Sequence, residues 1–216
     1  MKNLIIAVMA GAMFLASCKK EPESVSTVVN VSYPSLVLKG DQIISTSVGT
    51  GTYTDPGATG TDDITGASLA LTPVTNSVDL TKPGFYSVKY TMKNSNGYIT
   101  TKIRLVLVTP VSPAVDLSGT YARTSNGQTV TVTKKGTGLY TTNNIGGVAG
   151  RPEFIFDVYF GQTSDTTIAA PPQPSPLGGE VSIKNGKLTV SSADTLFSYT
   201  VLGTLFAENT RTFSHQ

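Results

Sequence analysis

The sequence predicts an all-β protein of two antiparallel domains behind an N-terminal export signal. Three observations carry that expectation. Thr, Ser, Gly and Val dominate, and no helical apolar period persists beyond the first residues. Apolar and polar residues alternate in short segments punctuated by Gly, Pro and Asn. Pro110 and Pro113 then divide the chain after its signal into two parts, each of about 100 residues, a common domain size.

Residues 1–17 have the layout of an export signal: Lys2, an apolar run over 4–15, then small residues. The run is too short to span a bilayer comfortably. Ala16 and Ser17 also suit an ordinary signal peptidase, so a secreted protein with a free cysteine is the simpler alternative. The only cysteine follows them directly. Leu15-Ala16-Ser17-Cys18 resembles the lipobox of bacterial lipoproteins. That resemblance implies that Cys18 becomes the first residue, with its thiol diacylated and its amine acylated. Burial of acyl chain is worth about 0.8 kcal/mol per methylene, and two or more chains hold stably where one does not. A single cysteine permits no internal disulfide, so the domains rest on their cores.

Residues 18–24 form a charged, proline-containing tether, Lys19-Lys20-Glu21-Pro22-Glu23-Ser24 after the cysteine. It is similar to the segment that sends many Bacteroidota lipoproteins to the outer face of the outer membrane. The implied location is therefore the outer membrane, lipid-anchored and at the cell surface. The balance of 16 Lys+Arg against 14 Asp+Glu gives no electrostatic case for nucleic acid.

The first domain spans residues 25–108, with short strands at 25–31 and 36–38. Residues 85–93 place Tyr86, Val88, Tyr90 and Met92 on one face. Ser95-Asn96-Gly97 supplies a turn, because Asn-Gly tolerates positive φ. The return strand carries Ile99, Thr101, Ile103, Leu105 and Leu107 against Thr100, Lys102 and Arg104. Such strands predict an antiparallel sandwich. Tyr53-Thr54-Asp55-Pro56-Gly57-Ala58, Asp62-Asp63-Ile64-Thr65 and the stretch from Val78-Asp79 through Pro83-Gly84-Phe85-Tyr86-Ser87-Val88 resemble bacterial Ig-like modules of the HYR type. The resemblance implies an Ig-like β-sandwich acting as a spacer or adhesive module. Asp55, Asp62 and Asp63 are the one concentration of carboxylates and a candidate calcium set, since calcium takes oxygen ligands. The simpler reading is that Asp55 caps the Pro-Gly turn and the others sit in solvent.

Residues 109–114 are a proline-containing linker that stays extended and moderately stiff. Residues 115–216 form the second domain, opening on Leu117-Ser118-Gly119-Thr120-Tyr121. Strands are expected at 129–133, 139–142, 153–160, 196–202 and 205–213. Asn185-Gly186 is expected to turn a hairpin between 181–183 and 188–190. Seven or eight such strands suggest a meander closed into a barrel or folded as a sandwich. The Gly-Thr-Tyr opening is similar to the first strand of lipocalin-like domains. The whole order resembles two-domain Bacteroides surface lipoproteins of unknown function, often encoded beside SusC/SusD-type uptake systems. It implies an accessory role and SusC/SusD-type partners.

Residues 143–152 form a glycine-rich loop and 169–179 a loop with four prolines, and long loops on a β scaffold often carry binding. Tyr140, Arg151 and Tyr159 are the ligand-binding candidates; the plainer alternative makes them rim residues and core-edge tyrosines. A glycan or a peptide would suit them, and no cofactor is implied. The only histidine, His215, is expected in a frayed tail. That argues against His-based catalysis, and Cys18 is committed to lipid. Asp157 and Glu180 are the one carboxylate pair that glycoside chemistry could use, yet the chain has no tryptophan to line a sugar cleft. The expectation is a non-catalytic binding or accessory protein, with an adhesive protein or a carbohydrate-binding module as alternatives.

Overall fold

A computed structural model describes residues 31–191 and 194–216. The signal, Leu15, Ala16, Ser17, Cys18, the tether and most of the strand expected at 25–31 lie outside the described residues. Among the described residues, seven strands build the first domain: β1 (Ser35–Leu38), β2 (Ile43–Ser47), β3 (Ala58–Thr61), β4 (Ser68–Leu71), β5 (Thr75–Asn76), β6 (Gly84–Lys93) and β7 (Ile99–Thr109). They form a sheet in the order β1-β3-β4 and another in the order β2-β7-β6-β5. The only parallel pair in these sheets is β2 with β7. Leu36, Ala58, Val88, Tyr90, Met92 and Val106 fill the space between them.

The expected hairpin is β6–β7, paired continuously from Lys93↔Ile99 to Gly84↔Val108. Its turn holds Gly97 at φ +89°, and the Asn94 side-chain oxygen accepts the Tyr98 amide at 2.9 Å. The core side of β7 is not its aliphatic row. Arg104, Val106 and Val108 face the core, opposite Val88, Tyr86 and Gly84. Ile99 and Ile103 are exposed. The inward arginine is tolerated because Asp55 meets its Nε at 2.9 Å. Its other nitrogens donate to the carbonyls of Asp41, Lys39 and Gly57.

Eight strands form the second domain: β8 (Gly119–Arg123), β9 (Thr129–Gly136), β10 (Leu139–Thr142), β11 (Val158–Gln162), β12 (Ile168–Pro174), β13 (Glu180–Val190), β14 (Thr195–Leu202) and β15 (Thr210–His215). Each pairs antiparallel with the next, and β15 returns to β8, so the meander is a closed barrel. His215 is held in β15 opposite Tyr121, not in a frayed tail. The interior is packed with rings: Phe197 lies 4.5 Å from Tyr121 and 5.2 Å from Phe213 between centroids.

Four segments differ from expectation. The last strand, expected at 205–213, runs only from Thr210 to His215. Asn185-Gly186 is not a hairpin turn, because β13 runs straight through it. The register moves from Lys184↔Thr200 to Lys187↔Ser198, which inserts one residue as a bulge. Asn185 takes φ +56° there, the left-handed conformation that Asn-Gly offers a bulge as readily as a turn. Gly186 lies so close to β12 that a Cβ would sit 2.1 Å from the Ile168 carbonyl oxygen.

The proline-rich run is not wholly a loop, since Ile168–Pro174 is the strand β12. Pro171 and Pro172 fall where its pairing with β13 is interrupted between Ala170 and Gln173, so no ladder donor to β13 is missed. The strand expected at 153–160 begins only at Val158. Pro152–Phe154 is a 3-10 turn started by its proline.

The two domains meet through glycines. Gly161 of β11 admits Leu107 and Phe85, Gly138 admits Thr109 and Val111, and Gly136 admits Ser45. A Cβ on Gly161 would come within 2.4 Å of Leu107 Cδ2. The Thr109 hydroxyl donates to the Gln162 carbonyl at 2.7 Å, fully buried. The connection after β7 is therefore packed at its start: Val111 is buried, and Leu117 enters the barrel core.

Candidate functional site

Beyond the Leu107–Gly161 contact the β7 sheet and the barrel diverge, and a cleft of about 400 Å3 opens between them. Strand alternation builds both walls. Leu107, Leu105 and Ile103 follow one another down the outer face of β7, and Ile43 pairs with Leu105. On the barrel, Val158, Phe160 and Gln162 point inward, so Gly161, Tyr159 and Asp157 succeed one another outward. Gln42, Ile43, Ile103 and Leu105 thus face Asp157, Tyr159, Pro172, Gln173, Pro174 and Glu180. Glu180 enters through its cross-strand pairing with Pro174.

The barrel wall is fixed by an unusual substitution of side chain for backbone. Tyr159 stands where the next ladder bonds to β12 would fall, but β12 offers prolines there. The Gln173 amide takes the role of a peptide group. Its Oε1 accepts the Tyr159 N–H at 2.9 Å and its Nε2 donates to the Tyr159 carbonyl at 2.7 Å. Tyr159 is thereby held at the cleft wall although its strand lacks a complete partner.

The cleft is apolar in its floor and acidic at its rim. The ion pairs among the described residues use Asp79, Asp55, Glu153 and Glu208, which leaves Asp157 and Glu180 without an ionic partner. No Lys or Arg lines the cleft. The two carboxylates that the sequence singled out as a pair do share this cleft, as exposed groups.

The ligand-binding candidates are not brought together. Tyr140 is completely buried in the barrel, its ring 5.6 Å from Phe160 and its hydroxyl 3.3 Å from the Gln162 side chain. Arg151 sits on the surface, paired to Glu153 at 2.5 Å and over the Phe154 ring. Only Tyr159 reaches the cleft. The glycine-rich loop closes one barrel end: Ile145 inserts into the core, and Tyr199 donates to its carbonyl at 2.9 Å.

The three aspartates are also separated in role. Asp55 serves the sandwich core. Asp62 accepts the amides of Ile64 at 2.8 Å and Ser95 at 2.8 Å, which holds its carboxyl below the usual range. Asp63 accepts from the Asn94 side chain at 3.0 Å. Among the described residues no three His, Cys, Asp or Glu side chains group as metal ligands.

Residues 36–108 match the family described as bacterial surface protein, Ig-like domain. That match supports a bacterial Ig-like module, the broader part of the resemblance seen in the sequence. A comparison with curated proteins finds no match. Among solved structures, a crystal structure of a lipoprotein from Bacteroides thetaiotaomicron is similar to this chain at 20% identity. It covers 85% of this chain and 100% of that one, with a TM-score of 0.38.

In the Ig-like domain, the Tyr-x-Asp-Pro-Gly segment now has a physical account. Asp55 accepts the Gly57 amide at 2.8 Å and the Tyr53 hydroxyl at 3.2 Å. It also accepts from Tyr90 and pairs with Arg104. Burial, then the neighbouring Asp55 charge, raises the Tyr53 hydroxyl to about 12. The cleft residues of this domain, Gln42, Ile43, Ile103 and Leu105, were not expected as a site. Their signal was present in β7, whose aliphatic row is one apolar face more than a sandwich core of this size uses.

Proposed function

We propose that this is a lipid-anchored, non-catalytic protein of the bacterial cell surface that binds a ligand in the cleft between its Ig-like domain and its barrel. In this reading it is an accessory component of an outer-membrane uptake system of the SusC/SusD type. The observation that carries the binding role is the cleft, where a preformed apolar floor meets carboxylates with no ionic partner. Its volume lies within the usual range for small-ligand sites, about 300–1,000 Å3. The match to bacterial surface Ig-like domains supports the surface location. The Cys18 lipobox is the basis for the anchor, and the tether of residues 18–24 for the outer face.

The non-catalytic part rests on the cleft lining, which holds no His, Cys, Ser or Thr and a single aromatic, and on the exposure of its two carboxylates, Asp157 and Glu180. Affinity purification of the detergent-solubilised protein is expected to recover a large outer-membrane β-barrel protein with it. Repeated recovery of the protein alone would overturn the accessory role. Cys18→Ser is expected to move the protein from the membrane fraction to the soluble fraction, and continued membrane retention would overturn the anchor.

A further inference from the structure

We infer that the cleft takes an extended peptide segment carrying a lysine or arginine beside an apolar residue. This rests on the binding role proposed above and names its ligand class. The first argument is charge. Asp157 and Glu180 stand at the rim with no basic side chain among the lining residues, so a cation gains from both and displaces no existing pair. Charge complementarity of this kind favours one partner over its like-charged alternative.

The second argument is surface. Ile43, Ile103, Leu105, Pro172 and Pro174 supply aliphatic walls, with Tyr159 as the sole aromatic. Sugar sites rely on flat aromatic platforms, and one half-buried tyrosine does not make such a floor. Aliphatic side chains fit aliphatic walls, and Ile103 is 43% exposed without a ligand.

The third argument is backbone. Among the described residues, β2 is the outer strand of its sheet and pairs only with β7. The Gln42 carbonyl accepts the Leu105 amide at 2.9 Å, so alternation turns the N–H and C=O of Ile43 to the open side. Ile43 also lines the cleft. A strand edge beside a pocket is the arrangement in which an added peptide gains main-chain bonds for affinity and a side-chain pocket for selectivity. A free amine would use only the pocket.

The test is fluorescence anisotropy on the full-length protein purified from membranes in detergent. The probe is a fluorescein-labelled peptide alternating lysine and valine. Binding is expected, weaker as salt rises. It should fall about tenfold in Asp157→Asn/Glu180→Gln, as loss of two rim charge pairs predicts, and also fall in Ile103→Gln. Both sites are exposed, so folding should be unchanged, which circular dichroism checks. Equal affinity for the matching glutamate–valine peptide would overturn the inference. So would full displacement by maltoheptaose, or no anisotropy change with the lysine–valine probe. The isolated-protein assay does not depend on the uptake partner. A failed co-purification with retained peptide binding removes the accessory role alone, and the reverse removes the peptide chemistry alone.

Discussion

Arg104 shows how one residue can invert the apparent sidedness of a strand. Its guanidinium has no exposed surface, and the Asp55 carboxylate is 2% exposed beside it. Such a pair gives little net stability by itself, because desolvation offsets most of the attraction, but removing one member leaves a buried charge alone. Arg104→Leu is therefore expected to cost about 3–5 kcal/mol in urea denaturation. Arg104→Leu/Asp55→Asn should recover part of that loss, because no uncompensated charge remains. An equal or larger loss in the double variant would mean that Asp55 acts mainly through Tyr53, Tyr90 and Gly57. The stake is functional as well as structural. With Arg104 inward, Ile103 and Leu105 are turned outward, which is what furnishes the cleft with its apolar wall.

At the level of elements, much of the architecture was legible because alternation and turn chemistry are local. The β6–β7 hairpin, the limits of β10 and the eight-strand meander follow from patterns contained within each segment. The bulge at Asn185-Gly186 was not legible, since a left-handed Asn-Gly serves a turn or a bulge and only the neighbours β12 and β14 decide. β12 was hidden for a related reason. Prolines argue against a strand unless their missing donors are supplied elsewhere, and here the supplier is Gln173. The cleft was least legible, because its walls come from β2 and β7 on one side and from β12, β13 and the start of β11 on the other, whose outer faces meet only in the assembled chain.

Gln173→Leu tests that account. It would leave the Tyr159 N–H and C=O without their partners, at an expected cost of about 1–3 kcal/mol. Amide hydrogen exchange at Tyr159 should accelerate with it. Unchanged exchange there would show that β11 is held by other means.

For the whole molecule, the question is whether the Ig-like domain is a separate spacer or part of one body with the barrel. The linker prolines suggested a spacer joined through an extended segment. The contacts argue for one body: Leu107 and Leu139 are buried yet belong to neither domain core cluster, and the buried Thr109 hydroxyl donates to the Gln162 carbonyl across the joint. Glycines at 136, 138 and 161 let the sheet of β7 approach the barrel wall. A cleft between two faces keeps its shape only if those faces are fixed, so rigidity at the joint is a condition for selective binding.

Gly161→Val addresses the joint and little else. Gly161 lies in a strand without positive φ, so valine suits its backbone, and the added atoms point at Leu107 and Phe85. Overpacking of this kind costs about 1–3 kcal/mol. The parent protein is expected to unfold in one calorimetric transition, with the Ig-like domain and barrel coupled. The variant should show two, with the barrel transition near its original temperature. The lysine–valine peptide should bind it more weakly although every cleft side chain is intact. A single unshifted transition with full peptide affinity would mean that the cleft does not depend on close contact at Gly161.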